Sequence, residues 1–420
     1  MNYHEKTEHS YKSVRMNSGF LDWSTQPSAF KTYPKFYPRF KLDTMRPIDN
    51  TILSAGKITF EKRYGADIYF LRSWPSAGAL YPVELYVQLR SIDGWLDGVY
   101  HFEPQSESLV LLHTLNGDGL EGSACVGYDI KGVFFIFSSP YFRSSWKYKN
   151  RALRYCLLDT GHFYGALEIA AYANGFDCEA VFDFDRLSVA DLMGFENKEF
   201  VMLAAVIGEK REQKSRKISE KLPFVSATDY FEQNTFIENA YRDSCVIQRS
   251  GRATQKPNFS FDKAALSDAI QNRRSIRAFY GRSISKTEFE YILGIANLPI
   301  WSDVDNELEI YAVLNNVEGM EKGIYSNNSL IKTGDFAQKT GYLCLEQALG
   351  SSGAVTIFIT SSASSYQSDV VSAGIFGHRV YMAATMQGVG VSGIGAYYDG
   401  EVKEFLGTDK SILYAIALGR

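Results

Sequence analysis

Three arginines and a serine fall within five residues at Arg273-Arg274-Ser275-Ile276-Arg277, between Asn272 and Ala278-Phe279. Guanidinium groups carry their donors in a fixed fork, and a serine hydroxyl adds a neutral donor. Converging near a helix end, these groups make a phosphate clamp. A solvated basic helix terminus has the same local sequence, so the stretch alone leaves both readings open. Ala417-Leu418-Gly419-Arg420 ends an apolar, strand-like run on a further arginine. A second candidate is Pro75-Ser76-Ala77-Gly78, whose small side chains and backbone N–H groups allow close approach to a planar ring. Loops of this composition are also ordinary turns.

The elements that must position these groups follow from the surrounding pattern. Phe261 to Ile270 reads as an amphipathic helix delivering the arginine cluster at its end. The Pro-Ser loop is followed by a predicted strand, Glu84 to Leu89, a turn at Asp93-Gly94, and Gly98-Val99-Tyr100-His101-Phe102. Gly132 to Ser138 has the continuous apolar character of a buried strand. Trp146-Lys147-Tyr148 and Arg154-Tyr155 come next, and Leu157 to His162 opens a predicted helix running to Asn174. Residues 1 to 44 hold Trp23, Phe30, Tyr33, Phe36, Tyr37 and Phe40 among Pro27, Pro34 and Pro38, which forbids a long helix. An ordered, extended arm is expected there, with His4, His9 and Lys31 as surface decoration. Residues 209 to 260 read as a charged linker around a short helix near Asp229 to Arg242, with a polar, Gly- and Pro-containing end from Gly251 to Pro257.

At 420 residues the chain has room for two or three domains. A net charge of −4 gives no electrostatic case for nucleic acid or an anionic membrane. Aromatic content of 14% suits large apolar grooves as well as aromatic-rich cores. Five scattered cysteines show no CxxC and no zinc spacing, so reduced thiols of a cytoplasmic protein and no metal site are expected. The polar start, Met1 to Ser10, argues against a signal peptide, and no apolar run approaches transmembrane length.

The chain also repeats itself. Gly161-His162-Phe163 matches Gly374-Ile375-Phe376, Gly175 matches Gly388, and Leu192-Met193-Gly194 matches Phe405-Leu406-Gly407, all at an offset of 213. Gly98-Val99-Tyr100 recurs as Gly323-Ile324-Tyr325. Two copies of one domain account for this. The copies have diverged in complementary ways. The second carries the arginine cluster, Ser392-Gly393-Ile394-Gly395 and Arg420, whereas the first ends in Glu209, a carboxylate that repels phosphate. The Pro-Ser-Ala-Gly loop and Lys147-Tyr148 occur only in the first copy; the second has Ala296 to Trp301 at the corresponding segment.

The Arg-Arg-Ser-Ile-Arg run with a terminal Gly-Arg resembles the flavin-phosphate ligands of the nitroreductase superfamily. Pro-Ser-Ala-Gly, followed by Tyr-Pro and Gly-Val-Tyr-His-Phe, resembles the SagB-type dehydrogenases, the azoline oxidases of that superfamily. The resemblance implies an α+β fold: two tandem nitroreductase-like domains, at 45–208 and 261–420, forming an intramolecular pseudo-dimer, with antiparallel-type central sheets flanked by helices. It implies FMN as cofactor. Arg273, Arg274, Ser275, Arg277, Gly393, Ile394, Gly395 and Arg420 would bind it from the second copy, and Pro75, Ser76, Ala77 and Gly78 from the first. It also implies catalysis by Lys147 and Tyr148. Because nitroreductases hold flavin between two subunits, the complementary losses imply one flavin between the two halves.

The leading expectation is therefore an FMN-dependent dehydrogenase that oxidises thiazoline or oxazoline rings of a modified peptide. Tyr148 would take a proton from the ring, hydride would pass to FMN, and oxygen would reoxidise the flavin. An unperturbed tyrosine titrates near about 10, so the adjacent Lys147 would favour the phenolate. Two alternatives share the fold: an NAD(P)H-dependent nitro- or flavin reductase, and a flavin-poor partner subunit of a cyclodehydratase complex. A monomer acting as a pseudo-dimer and a homodimer are both open.

Overall fold

Apolar strands and two long buried helices set the architecture of this computed structural model, which describes residues 2–16, 19, 21–65, 67–245, 254–362 and 365–420. The chain divides into two units. One comprises Asp22–Pro257 with Pro299–Asp305, and the other comprises Met1–Leu21, Asn258–Leu298 and Asn306–Arg420. Within the predicted linker, residues 246–253 lie outside the described residues.

The unit beginning at Asp22 is built on a seven-stranded sheet. Its strands are β1 (Arg39–Lys41), β2 (Glu84–Arg90), β3 (Gly98–Glu103), β4 (Ser108–Thr114), β5 (Asp129–Ser139), β6 (Glu179–Val181) and β7 (Phe200–Arg211). They lie in the order β1-β4-β3-β2-β5-β7-β6, antiparallel throughout. Every residue of β2 is buried, as are the apolar residues of β5. Strands covered on both faces read as continuous apolar runs, which is why Gly132 to Ser138 was legible. Its α-helices of seven or more residues, among the described residues, are α1 (Pro47–Gly56), α2 (Phe142–Tyr148), α3 (Ala152–Ala173), α4 (Arg186–Leu192) and α5 (Thr235–Ser244). On α3, Ala152 through Ala171 are all buried, the pattern of a core helix.

The other unit repeats this plan. The six strands of its main sheet are β8 (Glu309–Leu314), β9 (Gly323–Ser326), β10 (Ser329–Thr333), β11 (Val355–Ser361), β12 (Gly390–Ile394) and β13 (Ser411–Gly419). The order is β10-β9-β8-β11-β13-β12, again antiparallel. Strand for strand this reproduces β4-β3-β2-β5-β7-β6, so the offset of 213 in the sequence marks a repeated fold. Its helices of eight or more residues, among the described residues, are α6 (Lys263–Asn272), α7 (Lys286–Ala296), α8 (Tyr366–Met386) and α9 (Asp399–Leu406). Helix α8 is the counterpart of α3 and is buried from Gln367 to Ala384.

Several local expectations are corrected. Helix α3 begins at Ala152, ahead of the Leu157 read from sequence. Lys147 and Tyr148 end a separate helix, α2, and Lys149 leaves it in the left-handed region at φ 47°. The arm is not simply extended. It contains short helices at Tyr3–Lys6 and Tyr11–Met16 as well as β1, which edges the seven-stranded sheet. Lys31 is not surface decoration. It is buried, with Nζ 2.6 Å from Glu199 Oε2 and 2.8 Å from Tyr86 Oη, and a buried cation needs such partners. His4 is buried as well. The helix predicted near Asp229 to Arg242 is found at Thr235–Ser244, where Tyr241 Oη donates to the Val201 carbonyl and ties it to β7.

Candidate active site

The predicted residues form two clusters, one in each unit. In the first, the loop that leaves the Ile58–Tyr64/Asp67–Arg72 hairpin carries Pro75, Ser76, Ala77 and Gly78. The loop is held from below by Asp159 on α3. Ser76 Oγ donates to Asp159 Oδ2 at 2.5 Å, Ala77 N–H donates to Oδ1 at 3.3 Å, and Tyr81 N–H donates back to Ser76 Oγ at 2.9 Å. These bonds impose a tight path in which Gly78 has φ +65°, with Ala79 and Tyr81 also at positive φ. Residues with a Cβ avoid that region, and glycine does not. A Cβ on Gly78 would lie 2.8 Å from Tyr148 Oη and 3.2 Å from Lys147 Nζ. The loop and the Lys-Tyr pair, 70 residues apart in sequence, therefore meet.

Lys147 is exposed and Tyr148 half-buried. The Lys147 ammonium lies 5.6 Å from the centre of the Tyr148 ring, which packs on Tyr155 at 4.2 Å between centroids. Behind the pair, α2 is fixed by Arg143, whose Nη1 donates to the Tyr81 carbonyl at 3.0 Å and to Glu84 Oε1 at 2.6 Å. Burial alone would raise the Glu84 pKa, but Arg143 and His101 outweigh it and hold the carboxyl down at about 2. Burial pushes the Asp159 carboxyl up to about 7, against the opposing bonds from Ser76 and Ala77. Neither Asp159 nor Arg143 was read from sequence. A lone Asp in an apolar helix gives no signal until the loop it holds is known.

The second cluster sits where α6 ends. Arg273 caps that helix and is buried, its guanidinium 5.4 Å from the ring centre of Tyr381. Arg274 is half-buried and donates to the Gln271 and Arg273 carbonyls, and Arg277 is exposed. Ser275 pairs beside Val391 of β12, with Ile276 N–H donating to the Val391 carbonyl at 2.8 Å. Tyr381 of α8 joins the two predicted motifs: its hydroxyl lies 2.8 Å from Ser275 Oγ and accepts the Gly393 N–H at 2.7 Å. Gly393 faces Ile416 across the sheet, and a Cβ there would fall 2.0 Å from Tyr414 Oη, so any larger residue would have to displace that ring. Ile394 is buried and Gly395 half-buried. Tyr381 was missed because one tyrosine in a buried helix carries no pattern.

Arg420 follows β13, and its carbonyl accepts the Tyr280 N–H at 2.7 Å. Its guanidinium is forked onto both carboxylate oxygens of Glu288, with a further bond to the Gln387 carbonyl at 3.2 Å. Glu288 also closes the capping box of α7 with Ser285. The bonds from Arg420 and Ser285 hold its carboxyl down at about 2. A phosphate at Arg420 would have to share it with this carboxylate. The chemistry of the remaining donors suits a phosphate monoester: a partly accessible Arg274, an exposed Arg277 and the Ser275 hydroxyl, on a backbone fixed by Tyr381.

Two sheets of matching strand order, each backed by one long buried helix, make two copies of one α+β fold, with an arginine–serine corner in one unit and a small-residue loop against Lys-Tyr in the other. The Nitroreductase family model matches residues 50–209 and 270–420, and the chain belongs to the nitroreductase family, in two copies. Nitroreductase family proteins generally bind flavin. The chain is 27% identical over 172 residues to a candidate nitroreductase, MJ1384, of Methanocaldococcus jannaschii, covering 40% of this chain and 82% of that one. It is 31% identical over 101 residues to the microcin B17-processing protein McbC of Escherichia coli, covering 22% of this chain and 37% of McbC. A candidate nitroreductase of Anabaena variabilis has the same fold over the full length. Its TM-score is 0.82 at 24% identity, covering 100% of this chain and 98% of that one. Among the described residues, no helix is long and apolar enough to cross a membrane.

Proposed function

We propose that this protein is an FMN-dependent dehydrogenase of the SagB type, oxidising thiazoline or oxazoline rings in a modified peptide to the aromatic azoles. The observation that carries the reading is the close approach of Gly78 to Tyr148 and Lys147, where an added Cβ would fall 2.8 Å from Tyr148 Oη, which sets a candidate base beside the Pro-Ser loop. The similarity to McbC, a microcin B17-processing protein by name, supports the same branch. FMN, when bound, supplies the hydride acceptor. Arg274, Ser275, Arg277 and Arg420 would hold its phosphate. Tyr148, as phenolate, removes the proton from the ring carbon, and Lys147 stabilises that phenolate through its charge. Asp159 keeps the loop in place. The ring leaves with two hydrogens fewer, one as the proton on Tyr148 and one as hydride, and aromatisation favours the step. The complementary losses between the copies point to one FMN per chain.

The test is a pair of assays on one preparation: an azoline-bearing peptide with oxygen, and NADPH with a quinone or nitroarene. Tyr148→Phe should keep flavin and melting temperature while losing azoline oxidation by a factor on the order of 10²–10⁴, the usual cost of losing a general base. NADPH-driven reduction should be nearly unchanged. Full azoline turnover by Tyr148→Phe refutes the assignment of the base. A wild type active only with NADPH makes the protein a nitro- or flavin reductase.

A further inference from the structure

The unit that carries Lys147 and Tyr148 also contains a cleft of about 800 Å³, lined by Trp23, Pro27, Phe30, Tyr69 and Phe70 among others. Ala79 and Leu80, the residues directly after Gly78, line it too. The cleft and the candidate base thus share one loop. They share a second element as well. Trp23 packs edge-on against Trp146 at 5.4 Å, and Trp146 precedes Lys147 on α2.

The lining is held in place by specific contacts. Trp146 Nε1 donates to the Asp22 carbonyl at 3.0 Å and lies 3.1 Å from Thr25 Oγ1, fastening the 22–25 turn to α2. Phe30 packs edge-on against Phe70 at 5.3 Å, and the buried Arg72 donates to the Ala29 carbonyl at 2.5 Å. Trp23 nevertheless leaves 61% of its surface open, and Ile68 44%. Large aromatic surface kept exposed on fixed backbone is a common mark of a binding site. No side chain lining the cleft, among the described residues, carries a formal charge. A nucleotide or a charged peptide segment would find no counter-ion there. A neutral chain bearing flat heterocycles would find aromatic faces to stack on and two glutamine amides, of Gln26 and Gln105, for its backbone.

We propose that this cleft binds the substrate peptide, taking the uncharged, heterocycle-bearing residues next to the ring being oxidised. The proposal rests on the azoline-oxidase reading above. The test uses the full chain reconstituted with FMN and a synthetic peptide with one thiazoline flanked by glycines and serines. Trp23→Ala and Gln105→Glu are the variants, the second placing a negative charge at an exposed position without removing any packing. Trp23→Ala should raise KM for the peptide about tenfold, the worth of a lost aromatic stack, with kcat within about twofold. For a small thiazoline without flanking residues, both variants should match wild type. With a peptide carrying aspartates in the flanks, Gln105→Glu should weaken KM further, and with lysines it should recover.

Unchanged peptide KM in both variants, with melting temperatures intact, overturns the cleft assignment while leaving the dehydrogenase reading in place. If wild type oxidises no azoline, the dehydrogenase reading fails instead. The cleft is then judged by tryptophan fluorescence on titration with the finished azole peptide: quenching lost in Trp23→Phe sustains it, and quenching equal in wild type and Trp23→Phe, or abolished by NADPH, overturns it.

Discussion

Replacing Gly78 with alanine probes the contact on which the catalytic assignment stands. At φ +65° an alanine costs about 1 kcal/mol relative to glycine, from the clash of Cβ with its own backbone. The added methyl would also sit 2.8 Å from Tyr148 Oη, and ordinary contact begins at 3.4 Å, so the hydroxyl must retreat by about 0.6 Å. Lys147 Nζ, at 3.2 Å, must give slightly as well. Both atoms are tips of side chains, so the fold survives and the melting temperature should fall by only about 2–4 °C per kcal/mol. A base misplaced by about 1 Å commonly costs on the order of 10² in rate, so azoline oxidation should drop roughly ten- to a hundredfold with flavin content unchanged. The decisive control is Gly78→Ala combined with Tyr148→Phe. Without the hydroxyl the tightest contact disappears, and the double variant should be no slower than Tyr148→Phe alone. A Gly78→Ala enzyme with full azoline turnover, or rate losses that multiply in the double variant, would refute the idea that the loop acts through Tyr148.

Further outcomes follow from the same geometry. Lys147→Ala should shift the pH–rate profile of azoline oxidation upward, since the phenol then ionises only at higher pH; an unmoved profile would separate Lys147 from the base. Arg274→Ala should weaken FMN binding about ten- to a hundredfold in equilibrium dialysis, the worth of one charge-assisted phosphate contact. Arg420→Ala should cost less because Glu288 already shares that guanidinium, and Glu288→Gln should tighten binding; weaker binding in Glu288→Gln would mean that the carboxylate orients Arg420 instead. Flavin released from purified protein should approach one per chain, and a ratio near two would overturn the complementary-loss argument. Asp159 titrates at about 7 in the folded protein, above its unfolded value near about 4, so the native state holds a proton that the unfolded chain has lost. Its contribution to stability therefore falls as pH rises between those values and is flat above them. The stability difference between wild type and Asp159→Asn should change with pH across that window; a constant difference would refute the buried-acid assignment.

Much of the fold was legible because the repeat is carried by buried apolar strands and glycine-marked helices, whose patterns survive divergence. The offset of 213 joins α3 to α8 and α4 to α9, and Gly98 to Gly323 joins β3 to β9. The candidate residues were legible where they form short runs, as in Arg273–Arg277 and Pro75–Gly78. What stayed hidden are single residues whose role is set by long-range packing. Asp159 and Tyr381 sit in helices buried on every side, where period carries no information about partners. Glu288 reads locally as half of a capping box, and its hold on Arg420 comes from 132 residues away. Lys31 read as a surface cation in a proline-rich arm, because the chain-distant Glu199 that accepts it is invisible locally.

The most direct test of the central claim is anaerobic mixing of the FMN-loaded protein with a thiazoline peptide in the absence of any nicotinamide. The expected result is bleaching of the flavin absorbance, one thiazole formed per flavin by mass spectrometry, and recovery of colour on admitting air. Flavin that stays oxidised with the peptide, yet bleaches with NADPH, would contradict the account.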